Sequence, residues 1–297
     1  MCIINGGVQF KFVALVFKLR LVSWDGDAYL IPATVYAQTV AVITTNKNLN
    51  MTDDKLAVLI DADNVPYANV KEMLEEISKN GTPTIKRIYA DWTRPTVFGW
   101  KNVLLENAIT PIQQYSYTTG KNSSDSALII DAMDILYSGK VNGFCIVSSD
   151  SDFTRLATRL REAGMTVIGF GEKKTPQPFI SACDKFIYIE ILKTAKLESN
   201  NATKTREKPK QKKEPLSKVD SETIRLITES VNDLADESGW AFLGSLGHYI
   251  LKKKPDFDPR NYGFPKLLPL IKNVNKFHID ERESGINKIR HIYLKQK

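Results

Sequence analysis

Hydrophobic positions from Leu56 onward alternate between two rhythms. Short apolar runs at 56–60, 84–90, 109–115, 143–148, 165–170 and 185–189 have the length and continuity of strands buried in a sheet. Between them apolar residues recur at helical spacing: Val70, Met73, Leu74 and Ile77 after Pro66, then within 97–107, 125–137 and 152–163. Pro66 suits a first helical turn, and Gly81 and Gly164 suit helix stops. The polar stretch 116–124 reads as a loop. Strands alternating with helices at this period predict right-handed βαβ units and a mostly parallel sheet, an α/β fold.

The rhythm fails at two places. Residues 1–50 carry an apolar stretch at 12–17 that Lys18 and Arg20 cut short, too short to span a bilayer, and a charge-free segment at 28–46 interrupted by Pro32 and Gln38. They read as an atypical N-terminal extension, and Met51, directly before the first clean strand, is the expected true start. Residues 193–218 lose all periodicity and hold nine basic against three acidic residues, a solvated basic linker. After Val219 a second pattern starts, with Ile224, Ile227, Val231 and Leu234 on one helical face. Helices over 240–251 and 265–274 follow, and strands at 277–280 and 288–294 flank a turn. Three helices and a hairpin predict a winged-helix-like domain over 219–297. The expected organisation is thus 1–50, 51–192, 193–218 and 219–297.

Composition changes this picture little. The chain of 297 residues is 42% hydrophobic and 25% charged, as globular proteins are, and its net charge of +7 lies mostly in the linker. Cys2, Cys145 and Cys183 lack metal-ligand spacing, which argues against a zinc site or disulfide framework and for a reducing, cytoplasmic setting without a membrane span.

The chemistry lies in the acids. Asp61 closes the first strand and Asp150 and Asp152 follow the fourth, so all three sit at the C-terminal rim of the sheet, where open α/β folds bind ligands. At about 100° per residue, Leu128, Ile129, Ala132 and Leu136 fall on the arc centred on Asp125, whereas Asp131 and Asp134 fall towards solvent. A carboxylate on the buried stripe, in the turn that opens at the same rim, is costly unless paired or metal-bound. Asp61, Asp125, Asp150 and Asp152 therefore predict a catalytic and metal-binding centre for Mg²⁺ or Mn²⁺, hard cations that take oxygen ligands. An aspartate ahead of a helix is also a common N-cap, and Asp152 fits that reading as well. Asn64 fits either a helix cap or a metal-bound water, and Asp63 either a loop or the site. Lys121, Trp92 and Arg94 are candidates for substrate contact, and each also fits an ordinary loop or packing role. All three histidines, His248, His278 and His291, lie after the linker.

Leu59-Ile-Asp-Ala-Asp-Asn-Val65, Lys121-Asn-Ser-Ser-Asp-Ser-Ala-Leu-Ile-Ile-Asp131 and Val147-Ser-Ser-Asp-Ser-Asp-Phe153 resemble, in order, the three motifs of the NYN family, LabA-like relatives of PIN-domain nucleases. The resemblance implies a PIN-like three-layer α/β/α sandwich and metal-dependent RNA cleavage, and its acidic pattern falls on Asp61, Asp125, Asp150 and Asp152. Ser149 stands where relatives often carry glycine. Gly239-Trp240, Leu243 to Gly247, Pro255-Asp-Phe257 and Tyr262-Gly263 through Lys266-Leu267 are similar to the OST-HTH or LOTUS domain. That likeness implies RNA binding, or a protein partner, through a winged helix. Lys252, Lys253, Lys254 and Arg260 are its candidate phosphate contacts, and a solvated face explains them equally.

The expected function is a ribonuclease that hydrolyses phosphodiester bonds with water activated by a metal, joined to an RNA-targeting domain. Two rivals remain. Asp61-Ala-Asp-Asn-Val65 also fits the nucleophile loop of haloacid-dehalogenase-like phosphatases, with Asp61 as nucleophile and Asp63 as acid/base. A non-catalytic RNA-binding regulator with relic acids is the other.

Overall fold

The computed structural model describes residues 19–24, 27–32, 54–115, 123–192, 216–284 and 289–297. Met51 as a start site, the apolar stretch 12–17, Lys121 and nearly all of the basic linker lie outside the described residues. Two compact units are present, 1–53 and 54–297. The first contains an antiparallel hairpin of β1 (Leu19–Trp24) and β2 (Asp27–Pro32), with Leu19 opposite Pro32 and Trp24 opposite Asp27. The sequence pattern predicts no element there.

The second unit begins with a sheet of six parallel strands. They are β3 (Lys55–Asp61), β4 (Thr82–Ala90), β5 (Thr110–Gln113), β6 (Gly143–Val147), β7 (Thr166–Gly171) and β8 (Lys185–Tyr188). Their order is β5-β4-β3-β6-β7-β8. The chain steps outward from β3 to β5, then crosses back to β6 and steps outward the other way. Between β3 and β6 the crossovers diverge, which leaves a crevice at the C-terminal ends of these two strands.

Helices cover both faces. The side chains of β3 alternate: Leu56, Val58 and Ile60 join one core with α1 (Val70–Ile77) and α2 (Trp100–Asn107). Ala57 and Leu59 join the other, with α3 (Ser123–Tyr137), α4 (Thr154–Glu162) and α5 (Gln177–Ala182). Buried on both faces, β3 and β6 read as continuous apolar runs. The result is a three-layer α/β/α sandwich with two cores.

A smaller body follows. It comprises α6 (Ser221–Leu234), β9 (Ala241–Phe242), α7 (Leu243–Lys253), α8 (Leu267–Val274) and the hairpin of β10 (Phe277–Ser284) and β11 (Ile289–Gln296). The three strands form one antiparallel sheet in the order β10-β11-β9. Ile227, Val231, Leu246, Ile250, Leu270 and Leu294 make its core. The sequence assigns 241–242 to the second helix. In the structure these two residues pair with β11 instead, and the helix begins at Leu243.

Loop 254–258 of this body covers the outer edge of β8. The Phe186 amide donates to the Pro255 carbonyl at 2.8 Å, and Tyr188 Oη donates to Asp256 Oδ2 at 2.8 Å. Among the described residues no helix is long and apolar enough to cross a membrane.

Candidate active site

The acids converge at the crevice. Asp61 ends β3, and Asp150 follows β6 after Ser148 and Ser149. Asp125 lies in the first turn of α3 and Asp152 in the short 3-10 turn (Ser151–Phe153) that leads into α4. Carboxylate oxygens of Asp125, Asp150 and Asp152 lie within 4.8 Å of one another.

Asp61 anchors the arrangement from below. It is 1% exposed and accepts three hydrogen bonds: Asn64 Nδ2 at 2.6 Å and Ser148 Oγ at 2.9 Å on Oδ2, and the Asp63 amide at 3.2 Å on Oδ1. Burial pushes its carboxyl above the ordinary range, and these bonds pull against that push. A carboxylate has about four acceptor positions, so three bonds leave one, on Oδ1. Asn64 therefore orients Asp61, and Asp63 is an exposed residue of the short 3-10 turn Ala62–Asn64.

Ser148, which sequence reasoning passes over as a strand end, is the link between the two loops. Its buried hydroxyl donates to Asp61 and accepts from the Asp150 amide at 3.1 Å. The signal was available: a small polar residue between a buried strand and an acid needs a partner for its hydroxyl. Ser149 Oγ accepts from the Glu172 amide at 2.9 Å and ties the same turn to the end of β7. The tight fit there explains Gly171, whose added Cβ would lie 2.7 Å from the Ser148 carbonyl oxygen.

Asp125 is buried, and its pKa rises to about 6. Burial is the largest cause, followed by the negative charges of Asp61, Asp150, Asp152 and Asp63. Asp150 Oδ1 accepts from the Asp152 amide at 2.9 Å, so Asp150 caps the turn carrying Asp152 while facing the cluster. Three carboxylates from two elements, repelling one another around one point and offering only oxygen, fit a hard divalent cation. Mg²⁺ or Mn²⁺ suits that donor set; a soft metal would want the thiolates and imidazoles it lacks.

The other candidates lie as follows. Trp92 is half-buried against the core, with Nε1 donating to the Ile112 carbonyl at 3.0 Å, and Arg94 is exposed with Nε 3.7 Å from Asp91 Oδ2. Lys252 and Lys253 are exposed on the last turn of α7. Lys253 pairs with Asp233 at 2.7 Å, and Lys254 is half-buried at the end of the helix. Arg260 is engaged by Glu76 and Asp258, so its guanidinium lies in the junction between the two bodies rather than on an open face. Asp131 also departs from the wheel, which sends it to solvent: it is half-buried, and Arg87 and Tyr89 of β4 bond its two oxygens.

The NYN domain family model matches residues 55–190, and the OST-HTH/LOTUS domain model matches residues 214–289. Among solved structures, a protein of unknown function from Vibrio parahaemolyticus is 21% identical, with 46% of this chain and 93% of that one covered at a TM-score of 0.40. An uncharacterized protein from Nitrosomonas europaea is 28% identical, with 32% and 90% covered at a TM-score of 0.27. A search of curated proteins finds no significant match.

Proposed function

Residues 55–190 are an NYN domain and residues 214–289 an OST-HTH/LOTUS domain, and from that pairing we propose that the protein is a metal-dependent ribonuclease whose C-terminal domain holds the RNA. The observation that carries the reading is the meeting of Asp125, Asp150 and Asp152 at the crevice between β3 and β6, above the buried Asp61. These three side chains, with the remaining acceptor position of Asp61, would hold Mg²⁺ or Mn²⁺. Such a cation supplies a Lewis acid that offsets the charge of a phosphodiester and activates water for its hydrolysis.

The protein's own part is positioning. Ser148 and Asn64 fix Asp61, Asp150 fixes the turn of Asp152, and the α3 backbone carries Asp125 to the same point. Buried and repelled, Asp125 is ready to give up its proton when a cation arrives. A phosphatase with Asp61 as nucleophile would need that carboxylate open to substrate, whereas Asp61 is 1% exposed and already accepts three hydrogen bonds.

The test is cleavage of single-stranded and structured RNA and DNA, with and without Mn²⁺ or Mg²⁺, by wild type, Asp61→Asn, Asp63→Ala, Asp125→Ala and Asp150→Asn. RNA cleavage should require the cation and vanish in Asp150→Asn while RNA binding survives. Asp63→Ala should stay active and Asp125→Ala should not. Full activity of Asp150→Asn at saturating metal sinks the catalytic assignment. A wild type indistinguishable from Asp150→Asn points to a non-catalytic RNA-binding protein.

A further inference from the structure

In the β10–β11 ladder, residues directly opposite share a face, and the register sorts the two faces sharply. Phe277, Ile279 and Leu294, with Ala241 of β9, turn inward to the core. Glu281 and Glu283 have the same parity, and Arg290 reaches them at 3.9 and 3.5 Å. The opposite parity gives the outer face: His278, Asp280 and Arg282 on β10, Lys295, Tyr293 and His291 on β11, and Phe242 on β9 opposite Tyr293.

That outer face is made of flat rings and cations. Phe242 is 38% exposed, and its ring lies 5.5 Å from His291 and 5.7 Å from Tyr293 between centroids. The Arg282 guanidinium lies 4.2 Å above the Tyr293 ring and 5.2 Å from that of Trp240, so its outer plane continues the ring surface. At the far end of the ladder the same parity gives Ser284 and Ile289 to this face. Its one carboxylate, Asp280, is paired with Arg282 at 2.8 Å, and Asp236 at the rim accepts from Ser238 and the Trp240 amide. Arg282 and Lys295, whose ammonium group donates to the Ser238 carbonyl at 2.9 Å, are the cations on a surface of π planes.

We propose that this face is a base-stacking platform for single-stranded RNA, with Phe242 and the outer plane of Arg282 as its stacking surfaces. Unpaired bases offer flat faces to aromatic and guanidinium planes without regard to sequence, and the cations take the adjoining phosphates. Duplex RNA, by contrast, hides its bases from such stacking surfaces. The platform rests on the RNA-binding reading of the C-terminal domain and adds where, and in what form, the RNA is held.

The test uses the full chain carrying Asp150→Asn, so that no RNA is cut, and fluorescence anisotropy with a labelled 12-nucleotide oligouridine. Phe242→Ala should weaken binding at least about fivefold, the lower end of what losing one stacked base costs. The salt dependence should stay as it was, because no phosphate contact is removed. Phe242→Leu, which keeps apolar bulk without the plane, should be as weak as Ala, and Phe242→Tyr should bind within about twofold of the parent. Unchanged affinity in both Phe242→Ala and Phe242→Leu overturns the platform. So does a changed oligomeric state with RNA affinity intact, which would give the face to a protein contact. If the parent fails to bind oligouridine at all, the RNA-binding reading of the domain falls too. Cleavage by the wild type, measured separately, stands on its own.

Discussion

At the scale of single residues, the site holds a cluster of charges whose repulsion costs stability and which a proton on Asp125, or a bound cation, would relieve. Asp125 titrates near 6 in the folded protein, above its ordinary value near 3.8, so the folded state holds a proton in that window that the unfolded state has lost. Stability therefore falls as pH rises from about 4 to 6, and above that the cluster carries its full repulsion when metal-free. Asp125→Asn removes the charge and keeps the shape. In EDTA at pH 7 it should melt a few degrees higher than wild type, at about 2–4 °C per kcal/mol relieved, while Mn²⁺ should raise the melting temperature of wild type more than that of the variant. A lower melting temperature in EDTA would refute the repulsion. At subsaturating Mn²⁺, activity should drop as pH falls through about 6, because the proton competes with the cation. Ser148→Ala removes the hydroxyl between Asp61 and the Asp150 amide; it should cost about 1–2 kcal/mol in urea unfolding and lower kcat with RNA affinity kept. The convergence of acids was legible in the sequence, because strand ends and one helical wheel fix which rim each carboxylate reaches. Ser148 and Asn64 as the partners of Asp61 were not: Ser148 meets it only when two loops 87 residues apart come together, and Asn64, three residues on, had several partners open to its amide.

At the scale of elements, the strands were the most legible part, because β3 and β6 are buried on both faces and show unbroken apolar runs. Besides the β1–β2 hairpin, two short elements of the second unit escaped. The six residues of α5 are too few for a helical period, and the two residues of β9 sit inside an apolar stretch that continues into α7. The edges of the sheet are also informative. β5, an edge strand, is short and carries Pro111, whose missing N–H blunts it, and β8 at the other edge is covered by loop 254–258. β7 also packs closely against the acid-bearing turn. Gly171→Ala would set a methyl group 2.7 Å from the Ser148 carbonyl, an overpacking that should cost about 1–3 kcal/mol. Because the displaced atoms lead directly to Asp150, cleavage should fall further than the loss of folded protein explains. A variant with wild-type melting and activity would show that the turn yields freely.

At the scale of the whole molecule, the NYN and winged-helix bodies are joined by a half-buried ion pair of Arg260, which the sequence had offered as a phosphate contact. Arg260 reaches Glu76 at the end of α1 through two nitrogens, at 3.0 and 2.8 Å, and also holds Asp258. Burial works against the ionised form of Glu76, but hydrogen bonds and charge from Arg260 and Lys79 outweigh it and hold the carboxyl down to about 2. A carboxyl lowered from its ordinary value near 4.5 stabilises the junction above that pH, and the contribution is lost as pH falls from there towards 2. Arg260→Ala leaves Glu76 buried with a weaker partner and should cost about 3 kcal/mol, as breaking one side of a buried pair does. The loss should fall on the junction rather than on either core. In calorimetry wild type should melt in fewer transitions than Arg260→Ala, whose two bodies should melt separately, and the Phe186 amide, which donates across the junction to Pro255, should exchange faster while amides inside β3 and β6 keep their protection. Acid titration of wild type from pH 4.5 downwards should reproduce that loss of protection. If Phe186 stays protected in Arg260→Ala, the ion pair is incidental and the apolar and backbone contacts of β8 alone hold the two bodies together.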